Sequence, residues 1–356
     1  MILRGCNYSM EVRLLPVVYK SSEWSRILTI LFVFCGMALA QSVKIVPAPG
    51  LQLPGVADSN SPSHWTNGKL VVFNSNGLAV RSEGSRIEDL GRVRAVQLYS
   101  YAHVPMWIES TYKAPDGKLY AWYHHEVFLG CEDNPVSAPK IGALRSDDDG
   151  LTFHDLGIVM QAAGEADCST RNRYFGGGNG DFSAIVDADG AYVYFLYSNY
   201  SGELSSQGVA IARMRVESLD DPVGQVYKYS KGSWDEPGLG GEESPVFAAT
   251  SSWASENADA FWGPSIHWNT HLSQYVMLMN RSCCGVDWEQ EGIYASFSPD
   301  LSRPATWTQP VKIFDGGGWY PMVMGLEEGG TDKLAGRQSR LFMGSDSNWL
   351  IEFELE

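Results

Sequence analysis

The chain has 356 residues, of which 44% are hydrophobic and 12% aromatic, which is enough apolar side chain for a large buried core and excludes an intrinsically disordered protein. Its formal net charge of −16 is the opposite of the basic face that nucleic acid and anionic lipid require, so a neutral substrate or partner is expected.

Residues 27–40 (ILTILFVFCGMALA) follow Arg26, carry no charge and end in Ala38-Leu39-Ala40 ahead of Gln41. A basic flank, a short apolar run and an A-x-A site describe a secretory signal peptide, with the run too short to span a bilayer. The mature chain is therefore expected to start near Gln41, in a secreted or periplasmic protein without a membrane partner once the signal is gone. Residues 1–24 are an extended n-region or follow from a misassigned start codon, and Phe34 is too bulky to precede a lipidated Cys35. Cleavage removes Arg4, Arg13, Lys20 and Arg26 with Glu11 and Glu23, leaving an even more acidic chain. Cys131, Cys168, Cys283 and Cys284 remain. In an exported protein the favoured pairing is Cys131 with Cys168, with Cys283 and Cys284 a vicinal bridge or two buried thiols. No metal site is expected, because no C-x-x-C or Cys/His spacing accompanies them.

Past Gln41 the chain reads as five related units of strands. After a first strand and a Pro/Gly-rich loop, unit one runs from Asp58 through His64-Trp65, the turn Asn67-Gly68, KLVVFNS, the turn Asn76-Gly77 and LAVRSEG. Unit two enters at Trp107-Ile108-Glu109-Ser110, turns at Asp116-Gly117 and continues as KLYAWYHHE and IGALRSDDDG. The third is the clearest, GDFSAIVDADGAYVYFLY from Gly180 to Tyr197, with Asp181 at a strand entrance and Asp189-Gly190 as a hairpin turn. Unit four enters at Trp262-Gly263-Pro264-Ser265, and the last at Trp319-Tyr320-Pro321. Gly77, Gly142, Gly208 and Gly292 open the third strand of successive units, at spacings of 65, 66 and 84 residues. With no sustained helical period past the signal, the pattern predicts an all-β, five-bladed β-propeller as a single domain over residues 41–356. A β-sandwich or β-helix fits less well, because neither repeats strands in sets of this length.

Ser146-Asp147-Asp148-Asp149-Gly150-Leu151-Thr152-Phe153 resembles the Asp box of sialidases, a surface hairpin turn that argues fold and not catalysis. The stretch from Asp181 to Gly190 is similar to the D-P-S-x-F-x-D-x-D-G unit of the five-bladed propeller glycoside hydrolases (arabinanases, β-xylosidases, invertases and levansucrases), and Ser298-Pro299-Asp300-Leu301 with Trp307 resembles their outer strands. In that superfamily the innermost strand of each blade delivers an acidic residue to a central pocket. The resemblance implies that Asp58 is base or nucleophile and that Asp181 orients substrate and tunes the acid. For the acid itself, Glu109, Glu126 and Glu243 remain open, Glu243-Ser244-Pro245 being similar to the family's E-G-P. Phe182 stands where the family has proline, and no proline directly follows Asp58.

Glycoside cleavage needs one protonated and one ionised carboxyl, about 5 Å apart for a nucleophile or roughly 6.5–9.5 Å apart with a water between them. Asp58, Asp181 and Glu109 are the catalytic candidates. Asp181, after a Gly-rich loop, also suits a cap on loose amides, whereas Glu109 lies between hydrophobics where burial is costly unless the group is used. Glu243 reads as a solvated loop residue. Strand alternation puts His124 and Glu126 on one face and His125 on the other. Trp65, Trp107, Trp262 and Trp319 offer aromatic faces to a sugar, and Tyr320, His124, Glu126, Arg173 and His267 join Trp65, Trp107 and Trp262 as the substrate-binding candidates. No cofactor is expected, although some relatives hold a calcium ion in the channel. A monomeric glycosidase acting on a carbohydrate substrate is the leading reading. A non-catalytic carbohydrate-binding propeller and a structural or protein-interaction propeller are its rivals.

Overall fold

A computed structural model describes residues 41–355 apart from Asp133; the export signal read at residues 1–40 lies outside the described residues. The described strands form five sheets. Blade I contains Ser63–Thr66, Lys69–Ser75, Ala79–Gly84 and Arg94–Ala95, from the inside outwards. Blade II runs Met106–Lys113, Leu119–Phe128, Ser137–Ser146, Thr152–Met160, and blade III runs Asn179–Val186, Tyr192–Asn199, Gly208–Arg215, Val226–Ser230. Blade IV runs Ala260–Asn269, Gln274–Ser282, Gln290–Ser298, Val311–Asp315. Blade V begins at Pro321–Gly325, continues through Gln338–Met343 and Asp346–Leu355, and takes Gln41–Gln52 as its outermost strand. That last pairing closes the ring, with Gln41 opposite Leu355 and Gln52 opposite Asp346. The chain is a five-bladed β-propeller, as the repeat pattern predicts.

Alternation along each strand builds the core. In Tyr192–Asn199 the side chains of Val193, Phe195 and Tyr197 pack with Trp122 and Ile141 of blade II, while Tyr194 and Leu196 pack with Ile266 and Met277 of blade IV. Comparable clusters fill the seams between blades I and II around Phe73 and Phe153, IV and V around Val276 and Phe353, and V and I around Met322 and Val72. Both faces of each blade are thus buried, which accounts for the near-continuous apolar runs. A sixth cluster, over one end of the channel, sets the aromatic side chains Phe175, Tyr200, Trp253, Trp262, Trp288 and Tyr320 among three alanines.

The four periodic glycines lie in or just before the third strand of blades I to IV. A Cβ at Gly142 would fall 2.0 Å from Cζ of Tyr123, and at Gly208 (φ +122°) 2.1 Å from the Phe247 carbonyl oxygen. At these two positions the glycine leaves room for a neighbouring ring or backbone against the sheet, whereas Gly77 takes a positive φ of 75° with no close neighbour. Cys131 pairs with Cys168, and Cys283 with Cys284 across a cis peptide. In the hairpin at Ser146–Phe153, Asp148 accepts hydrogen bonds from the Thr152 amide at 2.9 Å and hydroxyl at 2.7 Å. No helix among the described residues is long and apolar enough to cross a membrane.

Candidate active site

The inner strands all enter from the same end of the channel, and three of them carry a register shift there. In blade II it falls between Ile108 and Ser110, in blade III between Gly180 and Phe182, and in blade IV between Trp262 and Ser265. The inserted residues are Glu109, Asp181 and the pair Gly263-Pro264. A bulge re-aims a side chain that would otherwise follow the pleat. Asp181 adopts φ +40°, and Tyr320, just before the inner strand of blade V, φ +57°. Such strain in non-glycine residues collects at sites where a side chain must be held in one direction.

Asp181 is 2% exposed. The Tyr200 hydroxyl donates to its Oδ2, and that of Tyr320 to its Oδ1 at 3.1 Å. Burial and the adjacent Asp181 charge push both phenols well above their ordinary range, so they remain donors. Glu109 is fully buried beneath it. Its Oε2 accepts from the Phe182 amide at 3.1 Å and from Asn60 Nδ2 at 3.4 Å, and its Oε1 lies 3.2 Å from Nδ1 of His124. Burial pushes the Glu109 carboxyl up. For His124 burial acts against the charged ring, but the hydrogen bond to Glu109 and the charges of Asp181, Glu109 and Glu126 outweigh it and raise its pKa.

Above this layer is a pocket of about 190 Å³ lined by Asp58, Glu126, Asp181 and an aromatic wall that includes Phe175, Trp262, Trp288 and Trp319. Asp58 as a residue is exposed, yet its carboxyl faces the pocket. Lost hydration and the charges of Asp181 and Glu126 raise it to about 6. Glu126 accepts from Ser137 Oγ at 2.8 Å and stands 3.7 Å from Nε2 of His124. Its side chain is 23% exposed, so it is open to the pocket while Glu109 is not. The alternation reading is reproduced: His124 and Glu126 face the centre, and His125 turns away to the Pro105 carbonyl at 2.9 Å.

The other candidates divide between this pocket and the rest of the fold. Arg173 lines the pocket and pairs with Asp287 at 2.8 Å. Trp262 is buried in its wall, with Nε1 donating to Ser282 Oγ at 2.7 Å. Trp107 packs 5.5 Å from the His124 ring and lies near enough to Asp58 to oppose the rise in its pKa. Trp65 and His267 are elsewhere. Trp65 donates to the Gly330 carbonyl at 2.9 Å, at the far end of the channel. The His267 ring packs 5.4 Å from Phe353, and burial together with the Lys333 charge lowers it to about 3. A calcium ion needs six to eight oxygen ligands, and a neutral imidazole facing a ring and an ammonium is not such a cage.

Glu243 is not a solvated loop residue. Its side chain is 3% exposed and takes Lys228 Nζ at 2.7 Å, and Lys228 also donates to the Gln161 and Gly241 carbonyls. The x-Gly-Pro pattern expected of the acid occurs instead at the entrance of blade IV, as Trp262-Gly263-Pro264. Among Glu109, His124 and Asp181 one ligand atom from each lies within 4.8 Å of the others. Sequence reasoning missed Asn60, Tyr200 and Trp288. Of these only Asn60, two residues past Asp58, carried a usable signal.

No family model matches the sequence, and no curated protein matches it. Many solved structures are similar to it in fold, among them these three. An endo-arabinase from Bacteroides thetaiotaomicron superposes with a TM-score of 0.51 at 14% identity, over 87% of this chain and 96% of that one. A Bifidobacterium bifidum protein described as an exo-β-1,3-galactanase gives 0.51 at 14% identity over 85% and 91%, and an α-L-arabinofuranosidase from Lactobacillus brevis 0.50 at 12% over 83% and 90%. The likeness is one of fold. It agrees with the architecture that the D-x-S-x-x-x-D-x-D-G unit around Asp181 led us to expect.

Proposed function

We propose that the chain is an exported, monomeric glycoside hydrolase that cleaves glycosidic bonds of a poly- or oligosaccharide in the pocket of Asp58, Glu126 and Asp181. The observation that carries this reading is the carboxyl of Asp58, raised to about 6 while facing the same small, aromatic-walled pocket as two further carboxyl groups. Two carboxyls in unlike environments are what acid-assisted glycoside cleavage needs. In this reading Asp58 gives its proton to the leaving-group oxygen, and Glu126 acts as the partner carboxylate. That exchanges the base or nucleophile role implied by the resemblance for the acid role, in keeping with its raised pKa. Asp181, fixed by two tyrosines, orients substrate hydroxyls. Glu109 and His124, closed off from the pocket, position it. The two disulfides among the described residues support an oxidising compartment and hence export.

A non-catalytic carbohydrate-binding propeller is favoured by one observation, tryptophan in place of glutamate at Trp262-Gly263-Pro264. Incubating the mature chain with arabinan, xylan, galactan and fructan separates the two. Released reducing sugar supports the hydrolase, and retention on a polysaccharide with no release supports the binding protein.

A further inference from the structure

A second cavity, of about 480 Å³, opens where the inner strands leave the channel. This lies within the roughly 300–1,000 Å³ range of small-molecule sites. Its walls come from every blade, with Trp65 from I, Tyr112 from II, Ile185 from III, Trp268 from IV and Lys333 from the loop after the inner strand of V. It is separated from the Asp58 pocket by a filled channel. Asn60 spans to the Phe182 and Pro264 carbonyls at 2.9 and 3.2 Å, Ser63 donates to Asp332 at 2.8 Å, and Lys333 donates to Ser183.

Three polar side chains that line this cavity are more than nine-tenths buried and have no hydrogen-bond partner. His64 is 4% exposed, Thr111 6% and Trp122 1%, and both ring nitrogens of His64, Oγ1 of Thr111 and Nε1 of Trp122 are unpaired. Buried polar groups left unpaired are costly, and in a pocket they mark what an occupant must supply. Burial lowers His64 to about 4, so its ring is neutral near pH 7 and offers one donor and one acceptor. Thr111 offers both as well, and Trp122 a donor. The cations nearby are not free. Lys113 pairs with Asp149, and Lys333 with Asp332 at 3.1 Å. No surplus positive charge is left to recognise a phosphate or carboxylate. The occupant must therefore be uncharged, donate and accept hydrogen bonds at several points, and present apolar faces to Trp65 and Trp268.

We propose that this opposite mouth is a second, non-catalytic binding site for a neutral sugar ring or short oligosaccharide, independent of the Asp58 pocket. Hydroxyl groups satisfy His64, Thr111 and Trp122, while the C–H faces of the ring lie against the indoles.

Calorimetric titration of the mature chain carrying Asp58→Asn, with cellotriose, xylotriose and arabinotriose as neutral probes and trigalacturonate as a charged one, tests this without reading hydrolysis. At least one neutral trisaccharide is expected to bind. Trp268→Ala should weaken that binding by about tenfold or more, and Trp319→Ala, in the other pocket, should leave it unchanged. Thr111→Val, nearly isosteric, should also weaken it, and serves if Trp268→Ala does not fold. The proposal is overturned if no neutral trisaccharide binds, if trigalacturonate binds more tightly, if Trp319→Ala abolishes all binding, or if folded Trp268→Ala or Thr111→Val binds as the parent does.

Discussion

Glu109 and Asp181 occupy the same place in adjacent blades: each is the inserted residue of a register shift at the entrance of an inner strand. Their fates differ because of what stands above them. Asp181 reaches the pocket wall under Tyr200 and Tyr320, whereas Glu109 is sealed by the Phe182 amide, Asn60 and His124. In these two blades the register shift thus supplies a carboxylate, and the neighbours decide which one lines the pocket.

Removing either phenol that holds Asp181 should be felt in stability first. Tyr200→Phe and Tyr320→Phe each take a donor from a buried carboxyl, at a cost of about 1–3 kcal/mol in denaturant unfolding. The double variant should fall short of the sum, because both act on one group.

Asp58 makes stability depend on pH in a particular direction. The folded carboxyl keeps its proton up to about 6, against an ordinary aspartate value of 3.8. Between these values the folded state binds more protons than the unfolded, so this group's contribution falls as pH rises through the window and stays lowered above it. Asp58→Asn should therefore raise Tm at pH 7.5 and leave it unchanged near pH 3, both pH values being about a unit or more outside the window. Solvent screening keeps the gain modest.

Glu243→Gln leaves the Lys228 ammonium buried without its counter-charge. A loss of roughly 3–5 kcal/mol is expected in urea unfolding. Since Glu243 is held in that ion pair and does not line the pocket, kcat measured well below the melting temperature should be unchanged.

The Cys131–Cys168 bridge links residues 37 apart, and Pro135 and Ser137 inside the loop it closes, with Arg173 to Phe175 shortly after it, line the pocket. Replacing both cysteines with serine should cost on the order of 3–4 kcal/mol. Weaker substrate binding should accompany it, seen as a raised KM.

Much of this was legible because it is written in short-range signals. Asp189-Gly190 and Asp116-Gly117 mark hairpins, and the period of the units counts the blades. Alternation placed His124 and Glu126 together. What local pattern does not encode is depth along the channel. Trp65 and His267 lie on inner strands as expected, but toward the far mouth, because a strand's sequence does not say which of its ends faces the site. Tyr200 and Trp288 come from loops that meet only through ring closure, and Glu243 looked solvated because its partner, Lys228, sits in an outer strand.

The central claim is that the carboxyls of this pocket cleave glycosidic bonds, and the most direct test is reducing-sugar release by the wild-type chain beside Asp58→Asn and Glu126→Gln, each checked for fold by circular dichroism. The account predicts a measurable kcat on at least one neutral glycan that falls by about 100-fold or more in either variant. Equal release by all three folded proteins would contradict it.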